Sequence, residues 1–143
     1  MTETEDKTYL AIDYGRKRIG VAKSDPTGLI ASPITTIEVK SRRQAVAALV
    51  ELIGEFQPVG LVVGYPLLPS GDRGETCDAV DTFVTALLAE YDLPVFRINE
   101  QYTSQEAAAI IHAHGKKIGS KKKRVDRLAA VLILERFLET IER

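Results

Sequence analysis

Apolar residues first gather in two short runs, residues 9–12 and 19–22, with polar and basic positions and Gly15 between them. Runs of this length and composition predict two strands, and Gly15 gives the freedom a tight turn needs, so the pair reads as a β-hairpin. Asp25-Pro-Thr-Gly28 carries turn residues at turn positions and predicts a third strand over 29–37. Pro33 within it has no N–H to donate, which places that strand at an edge or at a bulge. Ser41 is a fitting N-cap for a helix in which Val46, Leu49, Val50, Ile53 and Phe56 recur at helical spacing until Pro58. Residues 59–63 form a continuous apolar run, the pattern of a strand covered on both faces.

The glycines and prolines of residues 64–74 predict a loop, after which Val80, Phe83, Val84, Leu87, Leu88 and Tyr91 make one helical stripe. Residues 94–98 read as a fifth strand that delivers Asn99 and Glu100 at its end. Thr103 and Glu106 have capping-box spacing and predict a short helix with Ala107, Ile110 and Ile111 inward. A basic loop containing Gly115 and Gly119 follows, and then a last helix over 125–141. Three consecutive strands followed by alternating helices and strands predict an α/β fold, a mixed five-stranded sheet with helices on both faces.

Length and composition narrow the class. A chain of 143 residues, 45% hydrophobic and 27% charged, can bury a single core and has the make-up of a soluble globular protein. No run approaches the roughly 18 apolar residues of a membrane span. Residues 1–7 are polar and acidic and lack the core of a signal peptide, so they read as a flexible tail ahead of a single domain over 8–143. The lone Cys77 cannot form an internal disulfide and suits a reducing cytoplasm. Glycines 15 and 20 lack the Gly-Lys-Ser/Thr ending of a P-loop, and the chain is too short for the two lobes of an actin-like ATPase.

The net charge of −1 conceals an uneven distribution. Arg16, Lys17, Arg18 and Lys23 crowd the hairpin, and Lys116, Lys117, Lys121, Lys122, Lys123, Arg124 and Arg127 crowd a later segment. Taken singly, such clusters are usually solvated loops. Two of them framing carboxylates point to a phosphate backbone.

Three acids hold special places: Asp13 closing strand one, Glu100 closing strand five, and Asp126 in the first turn of the last helix. Taken singly, Glu100 reads as a loop acid and Asp126 as a helix acid favoured by the macrodipole. Asp13 is harder to dismiss, because an acid on an apolar strand needs a cation partner. If the last helix crosses the rim where the inner strands end, the three carboxylates converge as hard oxygen ligands for Mg²⁺ or Mn²⁺, a set suited to phosphodiester hydrolysis. His112 and His114 read as solvated, Cys77 as structural, and Tyr14, Tyr65 and Tyr102 as packing residues or as platforms for bases.

Four segments together resemble the YqgF family. Ile12-Asp-Tyr-Gly-Arg-Lys-Arg-Ile-Gly-Val-Ala22 with Ser24 and Asp25 resembles its opening motif. Val62-Val-Gly-Tyr-Pro-Leu67 with Gly71 and Gly74 resembles its middle loop. Asn99-Glu-Gln-Tyr-Thr-Ser-Gln-Glu-Ala107 resembles its third motif, and Lys121-Lys-Lys-Arg-Val-Asp-Arg-Leu-Ala-Ala-Val-Leu-Ile-Leu134 its last. The match runs in order over about residues 8–140. The family is ribonuclease H-like, and its members are described as pre-16S ribosomal RNA nucleases and as Holliday junction resolvase-like proteins. The resemblance implies a bacterial cytoplasmic metal-dependent endonuclease, with Asp13, Glu100 and Asp126 as catalytic acids holding Mg²⁺ or Mn²⁺. Arg16, Lys17, Arg18, Lys121, Lys122, Lys123 and Arg124 are the expected phosphate contacts. The expected substrate is structured precursor rRNA or branched DNA, and the expected state a monomer or weak homodimer. The third motif departs from the family's Asp-Glu-Arg, reading Asn99-Glu100-Gln101, and Gln101 lacks the charge to grip a phosphate bidentately. That departure keeps open a binding module with weak or lost catalysis.

Overall fold

The structure, a computed structural model, describes residues 6–67, 70, 74–100 and 121–141, with side chains in the last segment from Val125 onward. Strands β1 (Tyr9–Tyr14), β2 (Arg18–Ser24), β3 (Ala31–Glu38), β4 (Gly60–Tyr65) and β5 (Val95–Asn99) form one sheet in the order β3-β2-β1-β4-β5. β1 is central: it runs antiparallel to β2 and parallel to β4, while β3 and β5 are the edges. Helices α1 (Arg42–Phe56), α2 (Glu75–Glu90) and α3 (Lys121–Ile141) complete the described elements.

The two-residue period of the strands sorts the side chains onto two faces. Leu10 and Ile12 of β1, Ile19 and Val21 of β2 and Leu61 of β4 meet Leu49 and Ile53 of α1 and Phe83 and Leu87 of α2. On the opposite face Ala11, Ala22 and Val62 meet Ala130, Ile133, Leu134 and Phe137 of α3. The small alanines let α3 lie close to the sheet. Tyr9 and Phe96 close the far end of that layer against Phe137, with ring centroids 4.8 and 4.9 Å from it.

Local signals explain most boundaries. The Ser41 hydroxyl accepts from the Gln44 N–H at 3.1 Å and caps α1. Pro33 stands in an edge strand and at a bulge: the β2–β3 register shifts between Val21 and Ala22, and Ala22 pairs with Pro33. Gly28 takes a positive φ of 74° in the turn before β3.

Four expectations need correction. The third strand begins at Ala31; Leu29 and Ile30, 70% and 62% exposed, belong to the turn, where the Asp25 carboxylate accepts from both their N–H groups. Gly64 and Tyr65 are strand rather than loop, because their parallel pairing with Ile98 and Asn99 continues β4. Tyr91 stands past the end of α2 and is exposed rather than part of its buried stripe. The last helix starts at Lys121, so Lys121 to Arg124 are helical rather than loop and Asp126 lies beyond the first turn. The short helix expected around Thr103 to Glu106, with Ala107, Ile110 and Ile111, and His112, His114 and Gly115 to Gly119, lies outside the described residues.

Candidate active site

Residues of one strand parity share a face, and at the carboxyl end of β1 that parity brings the acids together. Tyr9, Ala11 and Asp13 of β1 point to the α3 face, as do Phe96 and Ile98 of β5 and, next in phase, Glu100. Asp13 and Glu100 are each only 9% exposed. Their carboxyl groups are hydrogen-bonded to each other. Burial, then that hydrogen bond and the negative charge of Glu100, with Asp126 adding to it, hold the Asp13 carboxyl well above the usual carboxylate range. Two buried carboxylates side by side share a proton unless a cation offsets them.

Glycines make the approach possible. Asp13 pairs with Gly20 across the β1–β2 ladder, and Gly64 stands one step past the Ile12–Val63 pair on its other side. A Cβ on Gly20 would overlap the main-chain carbonyl of Asp126. A Cβ on Gly64 would lie 2.8 Å from the Glu100 carboxylate and 2.5 Å from Ile133 Cδ1. The bare strand on one side of Asp13 thus admits the α3 backbone, and on the other the Glu100 side chain. Glycine inside a strand is the available sequence signal for such close approach, and the sequence reading gave these two no separate role.

Main-chain contacts seat Glu100. Its N–H donates to the Tyr65 carbonyl at 3.2 Å, and Arg136 Nη1 of α3 donates to the Asn99 carbonyl at 3.2 Å. The Tyr65 hydroxyl donates to Asp81 Oδ2 at 2.7 Å, and Arg97 pairs with Asp81 Oδ1 at 3.0 Å. None of Arg136, Asp81 and Arg97 was singled out by sequence, because each acts through a partner far away in the chain.

Asp126 completes the rim differently. Arg18 Nε donates to its Oδ2 at 2.8 Å in a partly buried ion pair. Arg18, an expected phosphate contact, is therefore engaged inside the site, whereas Arg16 and Lys17 are exposed. The side chains of Lys121, Lys122, Lys123 and Arg124, together with Gln101 and Tyr102, lie outside the described residues. Tyr14 packs its ring on Phe83 at 4.7 Å, Tyr65 is tied to Asp81, and the buried Cys77 thiol donates to the Pro66 carbonyl at 3.5 Å, so all three have structural duties.

The donor set suits a hard divalent cation: carboxylate oxygens, no His or Cys, and two acids forced together in a poorly solvated rim. Among the described residues no three acidic, His or Cys side chains stand grouped as a ready metal cage. Asp13 and Glu100 satisfy each other and Asp126 is turned to Arg18. No helix of the described residues is long and apolar enough to cross a membrane.

Residues 7–140 match the family model RuvX, described as Holliday junction resolvase. A protein of Roseiflexus sp. (strain RS-1) named "Putative pre-16S rRNA nuclease" is 38% identical over 137 residues, covering 96% of this chain and 97% of its own. One of the same name from Chlorobium chlorochromatii (strain CaD3) is 42% identical, covering 91% and 93%. Among solved structures, T. thermophilus RuvC in complex with Holliday junction substrate gives a TM-score of 0.58 at 17% identity, covering 94% of this chain and 96% of that one. The Fowlpox virus resolvase with substrate Holliday junction DNA gives 0.59 at 11%, covering 95% and 99%. At such identities these two likenesses speak for the fold, which is ribonuclease H-like. Matched over nearly its whole length, the chain belongs to the RuvX (YqgF) family of resolvase-like nucleases.

Proposed function

We propose that this protein is a divalent-metal-dependent endonuclease that cleaves phosphodiesters at the rim formed by Asp13, Glu100 and Asp126, and that its substrate is the 5′ end of precursor 16S rRNA. The observation that carries the reading is the burial of Asp13 against Glu100 with the charge of Asp126 in range, at the end of the central strand. Buried acids whose ionisation is opposed by burial and by a like-charged neighbour cluster at functional sites. The relatives' shared name supports the RNA as substrate.

Asp13, Glu100 and Asp126 would hold the metal, either Mg²⁺ or Mn²⁺. When bound, it supplies the positive charge that acidifies an attacking water and offsets the charge on the leaving oxygen. The chain's own contribution is placement. Gly20 admits the α3 backbone at Asp126 beside Asp13, Gly64 leaves room for the Glu100 carboxylate, Arg136 and the Tyr65 carbonyl fix the backbone at Glu100, and Arg18 orients Asp126. The exposed Arg16 and Lys17 hold phosphates beside the rim. The setting is the cytoplasm, and the active unit a monomer or weak homodimer.

Branched DNA is the second substrate reading, favoured by the family description. A nuclease assay with Mg²⁺ or Mn²⁺ on precursor rRNA and on a four-way DNA junction, comparing wild type with Asp126→Asn, tests both. Metal-dependent cleavage of the RNA that Asp126→Asn abolishes is the expected result. Preferential cleavage of the junction would transfer the activity to DNA. Binding without cleavage, unchanged by the substitution, would leave a binding module.

A further inference from the structure

The rim extends past the acids, onto the side of the sheet covered by α1. The Val39 N–H donates to the Lys17 carbonyl at 2.8 Å, and Arg18 pairs with Glu38 across the β2–β3 ladder. The turn carrying Arg16 and Lys17 is thereby fastened to the segment carrying Lys40, Arg42 and Arg43. β2 starts, β3 ends and α1 starts at the end of the sheet where Asp13 lies. All five of these cations are exposed, and none has an ion pair among the described residues.

Two of them work against their own helix. Arg42 and Arg43 follow the N-cap Ser41 directly, and the first turn of α1 holds no acid. Positive charge there opposes the helix dipole, whereas α2 carries Glu75 and Asp78 in its first turn in the favourable sense. A local arrangement that costs stability marks a functional surface. Glu90 lines the same groove between α1 and α2, and Asp81 beside it is already engaged by Tyr65 and Arg97. The exposed large apolar residues Leu29, Ile30, Val59, Tyr91 and Phe96 all lie elsewhere. Behind Arg42 and Arg43 the groove is lined by Val46, Ala47, Val50 and Ala86, which offer no aromatic anchor of the kind protein partners use, so the cations are the strip's main feature.

We propose that Lys40, Arg42 and Arg43 continue Arg16 and Lys17 as a phosphate-backbone track, which holds a nucleic-acid arm flanking the cleaved phosphodiester. This deepens, and rests on, the endonuclease reading. Contacts of this kind bind any sequence and are read out in the salt dependence.

The test measures binding of the full chain to a labelled RNA stem-loop and to a four-way DNA junction in EDTA, across a salt series. Arg42→Ala with Arg43→Ala is compared with wild type and with Lys23→Ala. Lys23 lies at the opposite end of β2, over the Phe56 ring at 5.5 Å, and serves as the control. The double variant is expected to flatten the slope of log K against log salt by about 1.8 and to weaken low-salt binding roughly tenfold. Its Tm stays level or rises, and Lys23→Ala keeps the wild-type slope. A double variant with the wild-type slope overturns the track, as does an affinity loss that merely follows a falling Tm. If wild type binds in EDTA and cuts in a parallel Mg²⁺ reaction while the double variant keeps the wild-type slope, only the track is lost. A wild type that neither binds nor cuts removes track and endonuclease together.

Discussion

Gly20 faces the main-chain carbonyl of Asp126 so closely that no side chain fits between them. The contact joins the strand beside Asp13 to the helix that carries the third acid, 106 residues later in the chain. It converts a glycine in a strand, ordinarily a weakness in a sheet, into the contact that sets α3 against the candidate site.

Gly20→Ala is expected to displace α3, because backbone rather than a movable side chain blocks the new methyl group. Overpacking of this kind costs about 1–3 kcal/mol. Urea denaturation should show that loss, together with loss of nuclease activity. A variant of wild-type stability would mean that α3 sits farther from β2 than described.

Gly64→Ala has a different signature. The added Cβ meets the ends of two side chains, Glu100 and Ile133, which can yield. Stability should fall by no more than about 1 kcal/mol, while cleavage falls at least tenfold because the Glu100 carboxylate is moved. Equal losses of Tm and rate relative to Gly20→Ala would argue against a special role for the Glu100 position.

Asp13→Asn should stabilise the metal-free protein at pH 7, by on the order of 1 kcal/mol, since it removes an acid whose ionisation burial, Glu100 and Asp126 all oppose. The same substitution should abolish both cleavage and the rise in Tm that Mn²⁺ gives wild type. Thermal melts with and without Mn²⁺ decide the matter; a less stable metal-free variant would show that Asp13 is held by something other than its acidic neighbours.

Asp25 governs the turn that presents Leu29 and Ile30. Its carboxylate accepts from the Thr27 hydroxyl and from the N–H groups of Ile30, Leu29 and Thr27, which lowers its pKa to about 2. Because the folded value lies below the unfolded one, the contribution is full above the usual carboxylate range and is lost as pH falls through about 4 to about 2. Asp25→Asn keeps an acceptor oxygen but no titration. The two stability curves should therefore converge as pH drops below 4; parallel curves would show that the loop does not depend on the charge.

The described strands and helices were legible in the sequence because their signals are local. Alternation and apolar runs marked β1 to β5, Ser41 marked the start of α1, and Pro33 announced both its edge position and its bulge. Asp13 stood out for an equally local reason, as an acid on an apolar strand. Boundaries were misplaced at Leu29, Gly64, Tyr91 and Lys121; at the first and last of these a capped turn and a basic helical turn have the composition of the opposite state.

What the chain order could not disclose depends on register and on long-range packing. The pairing of Asp13 with Gly20, the room that Gly64 leaves for Glu100, and the hold of Arg18 on Asp126 each join segments that share no sequence neighbourhood. Arg42 and Arg43 lie at the rim only because two antiparallel turns of the chain carry α1 back to it. Residue types determined which elements form and which face is apolar, through short-range sterics and hydrophobic period. Only the folded sheet decided which charges meet, since electrostatic partnership is set by distance in space and by the water excluded between the groups.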